Sequence, residues 1–343
     1  MKHFGDDFDR LDSFSREKFK KNEKRVLFKD KNQKKSALLK GTVYASMGKQ
    51  FLVRSSENPL KFADCTYGAT IDSKHDNSSI ITVGDEVYYS VFQDTKKTGK
   101  AAGTIHKLDL RKSCFSRKTV GLGTEQVIAS NADILLIVMS AAEPDYNKRL
   151  IDRFVIAAEQ GMLTPVICMN KTDLGDEKQI KSDLKIYKKL GIKIFFVSAF
   201  TEYNLDKLKK FLLNKISIFA GPSGVGKSTI INKLFGTELQ KINEISNKTN
   251  KGKHTTSFSK MFDLPKGGRI IDTPGIRELT LWDIGKEELP FFFHDFDNFF
   301  LSCRYLPCSH THEPECAVLE AVEKNKIDIE RYQSYLNIFE TVK

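Results

Sequence analysis

Residues Gly221-Pro222-Ser223-Gly224-Val225-Gly226-Lys227-Ser228 fit the pattern G-x-x-x-x-G-K-[ST] at every fixed position. Glycines at these spacings let a backbone curl until its N–H groups converge on phosphate oxygens. The helix that follows presents its positive end to the same anion. Lys227 is placed to reach the outer phosphates of a nucleotide, and the Ser228 hydroxyl to hold Mg2+, with Thr229 next in the same binding turn. The flanks suit this chemistry. Ile216-Ser217-Ile218-Phe219-Ala220 reads as a buried strand, and Thr229-Ile230-Ile231-Asn232-Lys233-Leu234-Phe235 has helical spacing.

Asn170-Lys171-Thr172-Asp173 is an N-K-x-D pattern directly after the apolar run ending at Met169. A carboxylate at Asp173 can accept from both N1–H and N2–H of guanine. Adenine lacks that pair of donors and would leave buried acceptors empty. Asn170 would support another edge of the base, and the Lys171 stem would cover its face. Ser198-Ala199 matches the short motif whose backbone amide approaches guanine O6. Asp272-Thr273-Pro274-Gly275 matches D-x-x-G, with Asp272 on Mg2+ through water and the Gly275 N–H near the γ-phosphate. Lys253-His254-Thr255-Thr256 lies where a Mg2+-binding switch threonine belongs, and Thr255 is favoured over Thr256. GTP or GDP with Mg2+ is the ligand these motifs describe together.

Ile276 follows D-x-x-G where many GTPases carry a glutamine that orients the attacking water. An isoleucine offers no hydrogen bond, so hydrolysis is either very slow or served by another group. His254, beside the switch threonines, is the candidate, because an imidazole can orient water or take its proton near neutral pH.

Cys303, Cys308 and Cys316, with His310 or the neighbouring His312, form a second constellation. Three thiolates and an imidazole predict a closed, structural, tetrahedral Zn2+ site, one per chain. A unit this small folds only with the metal's help. Cys65, Cys114 and Cys168 are scattered, which fits a reduced, cytoplasmic protein. Met1–Arg25 lacks a secretory pattern, and no run approaches eighteen apolar residues, so neither export nor a membrane partner is expected. The net charge of +11 points toward an acidic partner such as nucleic acid.

The elements that must position these residues fall into four stretches. Residues 1–35 form a lysine-rich arm with a possible helical piece around Phe14 to Phe28. Residues 36–116 carry short alternating segments at 38–44, 50–54, 79–83, 86–91 and 102–108, which predict an OB-fold barrel. Residues 117–285 alternate apolar strands with helices, predicting an α/β parallel-sheet GTPase domain. Residues 286–343 hold the cysteine cluster and two short helices, the second capped by Asp328. Phe291, Phe292, Phe293, Phe296, Phe299 and Phe300 are expected to pack between domains. Lys324, Lys326 and Arg331 are expected either to meet phosphates or to be solvated.

N-K-x-D precedes the phosphate loop, whereas in ordinary GTPases it comes last, so the domain is circularly permuted. The D-x-x-G switch then leads straight into the C-terminal unit and can move it. A permuted GTPase domain after a small barrel and before a cysteine cluster resembles the ribosome small-subunit-dependent GTPase A family (RsgA, also called YjeQ). The likeness covers roughly residues 36–343. It implies a monomer that hydrolyses GTP to GDP and phosphate, stimulated by the small (30S) ribosomal subunit during late maturation, in contact with 16S rRNA. It also favours His310 over His312 as a zinc ligand and a histidine at the place of His254. The chain departs from the family at Phe200-Thr201-Glu202-Tyr203, where glycines are usual, and in its longer basic arm. The alternative function, favoured by Ile276, is an RNA-binding module in which GTP is a structural ligand.

Overall fold

The computed structural model describes residues 38–67, 81–92, 101–119, 123–236, 259–273, 276 and 279–342. The basic arm and the expected helical piece at Phe14 to Phe28 lie outside the described residues.

Five strands make the N-terminal unit: β1 (Leu39–Met47), β2 (Gln50–Ser55), β3 (Phe62–Tyr67), β4 (Glu86–Phe92) and β5 (Ala101–Leu108). They run in the order β1-β2-β3-β5-β4, and β4 returns to pair with β1, closing an OB-like barrel. Alternation explains the closure: Val43, Phe51, Val53, Ala63, Cys65, Val87, Tyr89 and Ile105 point inward and form one core. Gly41 lies where a Cβ would sit 2.6 Å from the Arg54 carbonyl, so only glycine lets the strands approach there. The expected strand at 79–83 is reduced to an isolated bridge from Val83 to Ala129, with 79–80 outside the described residues. Asp85 stops it: its carboxylate turns back to the Thr82 N–H at 2.8 Å and takes Arg111 and Ser130 as further donors.

A two-stranded ribbon, β6 (Cys114–Lys118) with β7 (Glu125–Ser130), straddles the junction expected at 116/117. The GTPase sheet follows, with β8 (Ile134–Ser140), β9 (Thr164–Asn170), β10 (Lys193–Phe196), β11 (Ile216–Ala220), β12 (Lys260–Asp263) and β13 (Arg269–Asp272). Their order is β10-β9-β8-β11-β13-β12, all parallel except β12. β12 also pairs with β1 of the barrel at Ala45↔Lys260, so one continuous sheet runs through both units.

β8 is apolar from Ile134 to Met139 because it is covered on both faces. Leu135, Ile137 and Met139 join one core with helix α1 (Lys148–Gln160). Ile134, Leu136 and Val138 join another with α4 (Leu205–Leu212) and α5 (Lys227–Phe235). The short helices α2 (Glu177–Asp183) and α3 (Lys185–Lys189) stand between β9 and β10. α1 starts at Asn147, whose side chain accepts from the Arg149 and Leu150 N–H groups.

The C-terminal unit holds α6 (Ala317–Glu323) and α7 (Ile329–Phe339), the latter capped by Asp328 as expected. Phe293 and Phe296 are fully buried and meet Tyr335 edge-on, in the same core as Ile151 and Phe154 of α1. The phenylalanine run is thus packing between units, with only the 38% exposed Phe291 standing well out. Arg331 is not a phosphate contact. It is 3% exposed and bonded to Asp152 of α1 and, at 2.7 Å, to Asp295.

Candidate functional site

The phosphate loop leaves the end of β11 in the conformation its glycines allow. Gly221, Gly224 and Gly226 have φ of 147°, 84° and 92°. A Cβ at Gly221 would stand 2.1 Å from the Val138 carbonyl, and one at Gly226 would stand 2.3 Å from Asn170 Nδ2. Val225 is buried beneath the loop, whereas Ser223, Gly224, Ser228 and Thr229 are exposed on its open side and Pro222 is half-buried. Lys227 begins α5, and its ammonium donates to the Gly221 and Pro222 carbonyls, both at 2.7 Å. Burial lowers the pKa of Lys227 and pushes Asp272, at the end of β13, up to about 6, with Lys227 opposing that rise. This is the electrostatics of a site that wants a cation near Asp272 and an anion near Lys227.

Asn170 joins the motifs. It is 1% exposed; its Nδ2 donates to the Val225 carbonyl at 2.8 Å, and its Oδ1 accepts from the Ala199 N–H at 3.0 Å. One amide therefore links the N-K-x-D turn, the phosphate loop and the Ser198-Ala199 turn. Lys171 adopts φ 57° and donates to the Glu143 carbonyl, while Asp173 is exposed at the mouth. Ser198 is buried; its Oγ accepts from the Thr201 N–H at 3.0 Å, and its own N–H donates to the Tyr203 carbonyl. The departure from family glycines is accommodated within this turn by backbone bonds, while the Phe200 side chain is 85% exposed and Glu202 pairs with Lys233 of α5 at 2.6 Å.

Thr273 is tied to β11 by its hydroxyl on the Phe219 carbonyl, and Ile276 is buried with its N–H on the Gly221 carbonyl. His254, Thr255, Thr256 and Gly275 lie outside the described residues. Motif reading missed one contributor, the loop after β8. Its Glu143 carbonyl takes the Lys171 ammonium, and Pro144 lies beside Gly224, where a Cβ would make ordinary contact with its ring at 3.6 Å. No fixed spacing advertises a backbone carbonyl.

Cys303, Cys308, His310 and Cys316 are all buried, with their ligand atoms within 4.8 Å of one another. Cys303 Sγ lies 3.8 Å from Cys316 Sγ, and His310 Nδ1 lies 3.6 and 3.4 Å from these two sulfurs. Such edges match a tetrahedron with metal–sulfur bonds of about 2.3 Å, so the donor set is compatible with zinc. His312 is exposed and turned to the Thr311 hydroxyl. Glu313 accepts from the N–H groups of Ser309, Thr311 and His312. Burial would raise its pKa, but hydrogen bonds from the Ser309 side chain and from nearby backbone outweigh this and hold the carboxyl well below the usual range. Tyr332 and Tyr335 of α7 bond the His310 and Ser309 carbonyls, at 2.8 and 2.5 Å.

Comparison with known proteins agrees with this architecture. Residues 108–282 match the family model described as RsgA GTPase. A curated relative from Chlorobaculum parvum, "Small ribosomal subunit biogenesis GTPase RsgA", is 40% identical over 89% of this chain and 98% of its own length. The crystal structure of YjeQ from Thermotoga maritima is similar at 30% identity and a TM-score of 0.66, over 88% of this chain and 98% of that one. That of YloQ, described as a circularly permuted GTPase, matches at 25% identity and 0.63, over 91% and 97%. The chain belongs to the RsgA GTPase family and is a GTP-hydrolysing enzyme with a circularly permuted GTPase domain.

Proposed function

We propose that the chain hydrolyses GTP to GDP and phosphate when seated on the small (30S) ribosomal subunit, against its 16S rRNA, and acts late in that subunit's maturation. The observation that carries this reading is Asn170, which holds the guanine-reading and phosphate-binding turns as one site. The name of the Chlorobaculum relative supports the small subunit as partner. Asp173 would accept from the guanine edge, with Lys171 along its face and the Ser198-Ala199 turn beside O6. The N–H groups of Gly221 to Thr229 would cradle the phosphates. Lys227 would exchange its two carbonyl partners for phosphate oxygens. Ser228, Thr255 and, through water, Asp272 are the residues that would hold Mg2+, which supplies charge neutralisation at the phosphates. Cys303, Cys308, His310 and Cys316 would hold one Zn2+ that fixes the C-terminal unit. The chain acts as a cytoplasmic monomer, and its four units are the arm 1–35, the barrel 36–116, the GTPase domain 117–285 and the zinc-binding unit 286–343.

The Ile276 side chain presents no polar atom to a water, so the free enzyme turns over slowly and His254 orients the attacking water when the subunit is bound. GTP hydrolysis is measured with and without purified small subunits, with large subunits as control. A large increase specific to small subunits is expected, and His254→Ala should abolish the stimulated rate while leaving GTP binding intact. Binding without any stimulation would instead favour the RNA-binding module with a structural nucleotide, the reading that the buried Ile276 supports.

A further inference from the structure

β10 is the outer strand of the GTPase sheet, at the end opposite the barrel. Along it, aromatic rings and lysines interleave. Phe195 of β10 packs on Phe211 of α4 with centroids 5.1 Å apart. The Lys193 ammonium stands 4.6 Å from the Phe211 centroid, and that of Lys215 stands 4.8 Å from it. Lys181 of α2 lies over Phe196 at 5.6 Å. The Lys215 ammonium also donates to the Phe211 carbonyl at 2.8 Å, which leaves further N–H groups for an anion. Lysine side chains usually lose much rotamer freedom when fixed on a partner. Here the rings already hold two of them in place.

The surroundings keep this strip positive. Between Asp176 and Lys215 the chain carries ten lysines against five carboxylates. Among the described residues, the carboxylate ion pairs of this stretch are Glu177–Lys181 and Glu202–Lys233, and neither involves Lys193 or Lys215; Asp133, the carboxylate beside Lys215 along the sheet, accepts from the Ile216 N–H at 2.8 Å. The strip does not belong to the nucleotide site. Lys193 opens β10 and Lys215 precedes β11, whereas the phosphate loop and the Ser198-Ala199 turn leave the opposite, C-terminal ends of these strands. Lysine on an edge strand also discourages sheet-to-sheet pairing. That role explains Lys193 alone, not a second ammonium on the same ring from outside the strand.

We infer that the β10 edge is an RNA-backbone contact surface of the GTPase unit, with Lys193 and Lys215 held on Phe211 to meet phosphates of double-stranded RNA. Two cations pinned on one ring suit the sequence-independent, charge-driven reading of a duplex backbone. The inference deepens the small-subunit reading above, but its test does not depend on that reading.

The full chain binds a fluorescent RNA duplex of about 20 base pairs over a potassium chloride series, followed by anisotropy, and binds small subunits in a pelleting assay. Lys193→Gln/Lys215→Gln is expected to weaken duplex binding about tenfold near 0.1 M salt and to make the slope of log K against log salt shallower by about two. Lys193→Arg/Lys215→Arg should restore both. Affinity for a GTP analogue should stay unchanged in each variant, which establishes folding. Equal duplex affinity and slope in wild type and variant, or no duplex binding by the wild type, overturns the inference. Loss of subunit binding with duplex binding unaltered also overturns it, and assigns the strip to a ribosomal protein instead. Duplex binding that depends on both lysines, with no binding to small subunits, upholds the surface and sinks the subunit reading.

Discussion

At the scale of single residues, the site depends on contacts between motifs as much as on the motifs themselves. Gly226→Ala would place a methyl 2.3 Å from Asn170 Nδ2 at a φ of 92°. Asn170 would be driven off the Val225 carbonyl, leaving buried polar groups unmatched at about 1–3 kcal/mol each. Affinity for a GTP analogue is therefore expected to fall at least tenfold, read by fluorescence titration with urea unfolding as the stability control. The glycines and Lys227 were legible in the sequence because phosphate chemistry fixes their spacing. The two bonds of Asn170 were not, because Val225 and Ala199 lie far from it along the chain. Arg331 was ambiguous for the same reason, since nothing local to it announces Asp152 or Asp295. His294 bonds Asp297 and Glu159, each at 3.2 Å, and these carboxylates raise its pKa from 6.5 to about 10. A base raised on folding stabilises fully below its unfolded value, and the gain fades as pH rises through the folded one. His294→Gln should thus cost roughly 1–2 kcal/mol at pH 6, and the difference should close between pH 6.5 and 10 in urea titrations.

At the scale of elements, strands and helices with one strong signal were readable. β8 declares itself by the apolar run from Ile134 to Met139, and α7 by its Asp328 cap. The β6-β7 ribbon was not, because its burial pattern is mixed and its partners include Gly161 and Thr280, distant in sequence. Helix α7 docks on α1 through Arg331, with Tyr187 donating to Asp152 at 2.7 Å behind it. Arg331→Ala would leave two buried carboxylates without their cation, a loss of about 3–5 kcal/mol. The single tryptophan, Trp282, leads into the C-terminal unit and has its carbonyl on Gln160 at the last turn of α1. In the variant its emission should shift at lower urea than the loss of GTP-analogue binding, whereas one coincident transition would contradict a separable docking step.

At the scale of the whole molecule, the cysteine cluster and the α1 face share one core, so the metal's influence reaches past its own loop. Cys316→Ser is expected to lower zinc content from one per chain to none by elemental analysis. Far-UV circular dichroism should then lose the signal of α6 and α7, while GTP-analogue binding persists. The fold class and the permuted order were legible, since both follow from the sequence of motifs. The joining of barrel and GTPase sheet was not, because the Ala45↔Lys260 pairing has no local signature.

That joining dictates an order of assembly. Tyr44 of β1 bonds Asp263 at the end of β12 across 219 residues of chain, at 2.9 Å. The barrel closes among neighbours in sequence, and β8, β9 and β10 pair soon after synthesis passes them. In the finished sheet β12 is held between β13 and β1, and β13 through β11 to β8, so the strands that join the two units are among the last to be made. A chain still emerging from the ribosome that makes it thus owns a finished barrel long before it owns a phosphate loop or a switch. Whatever the barrel binds at that stage is bound without a nucleotide to time it, and only the last part of translation supplies that timing.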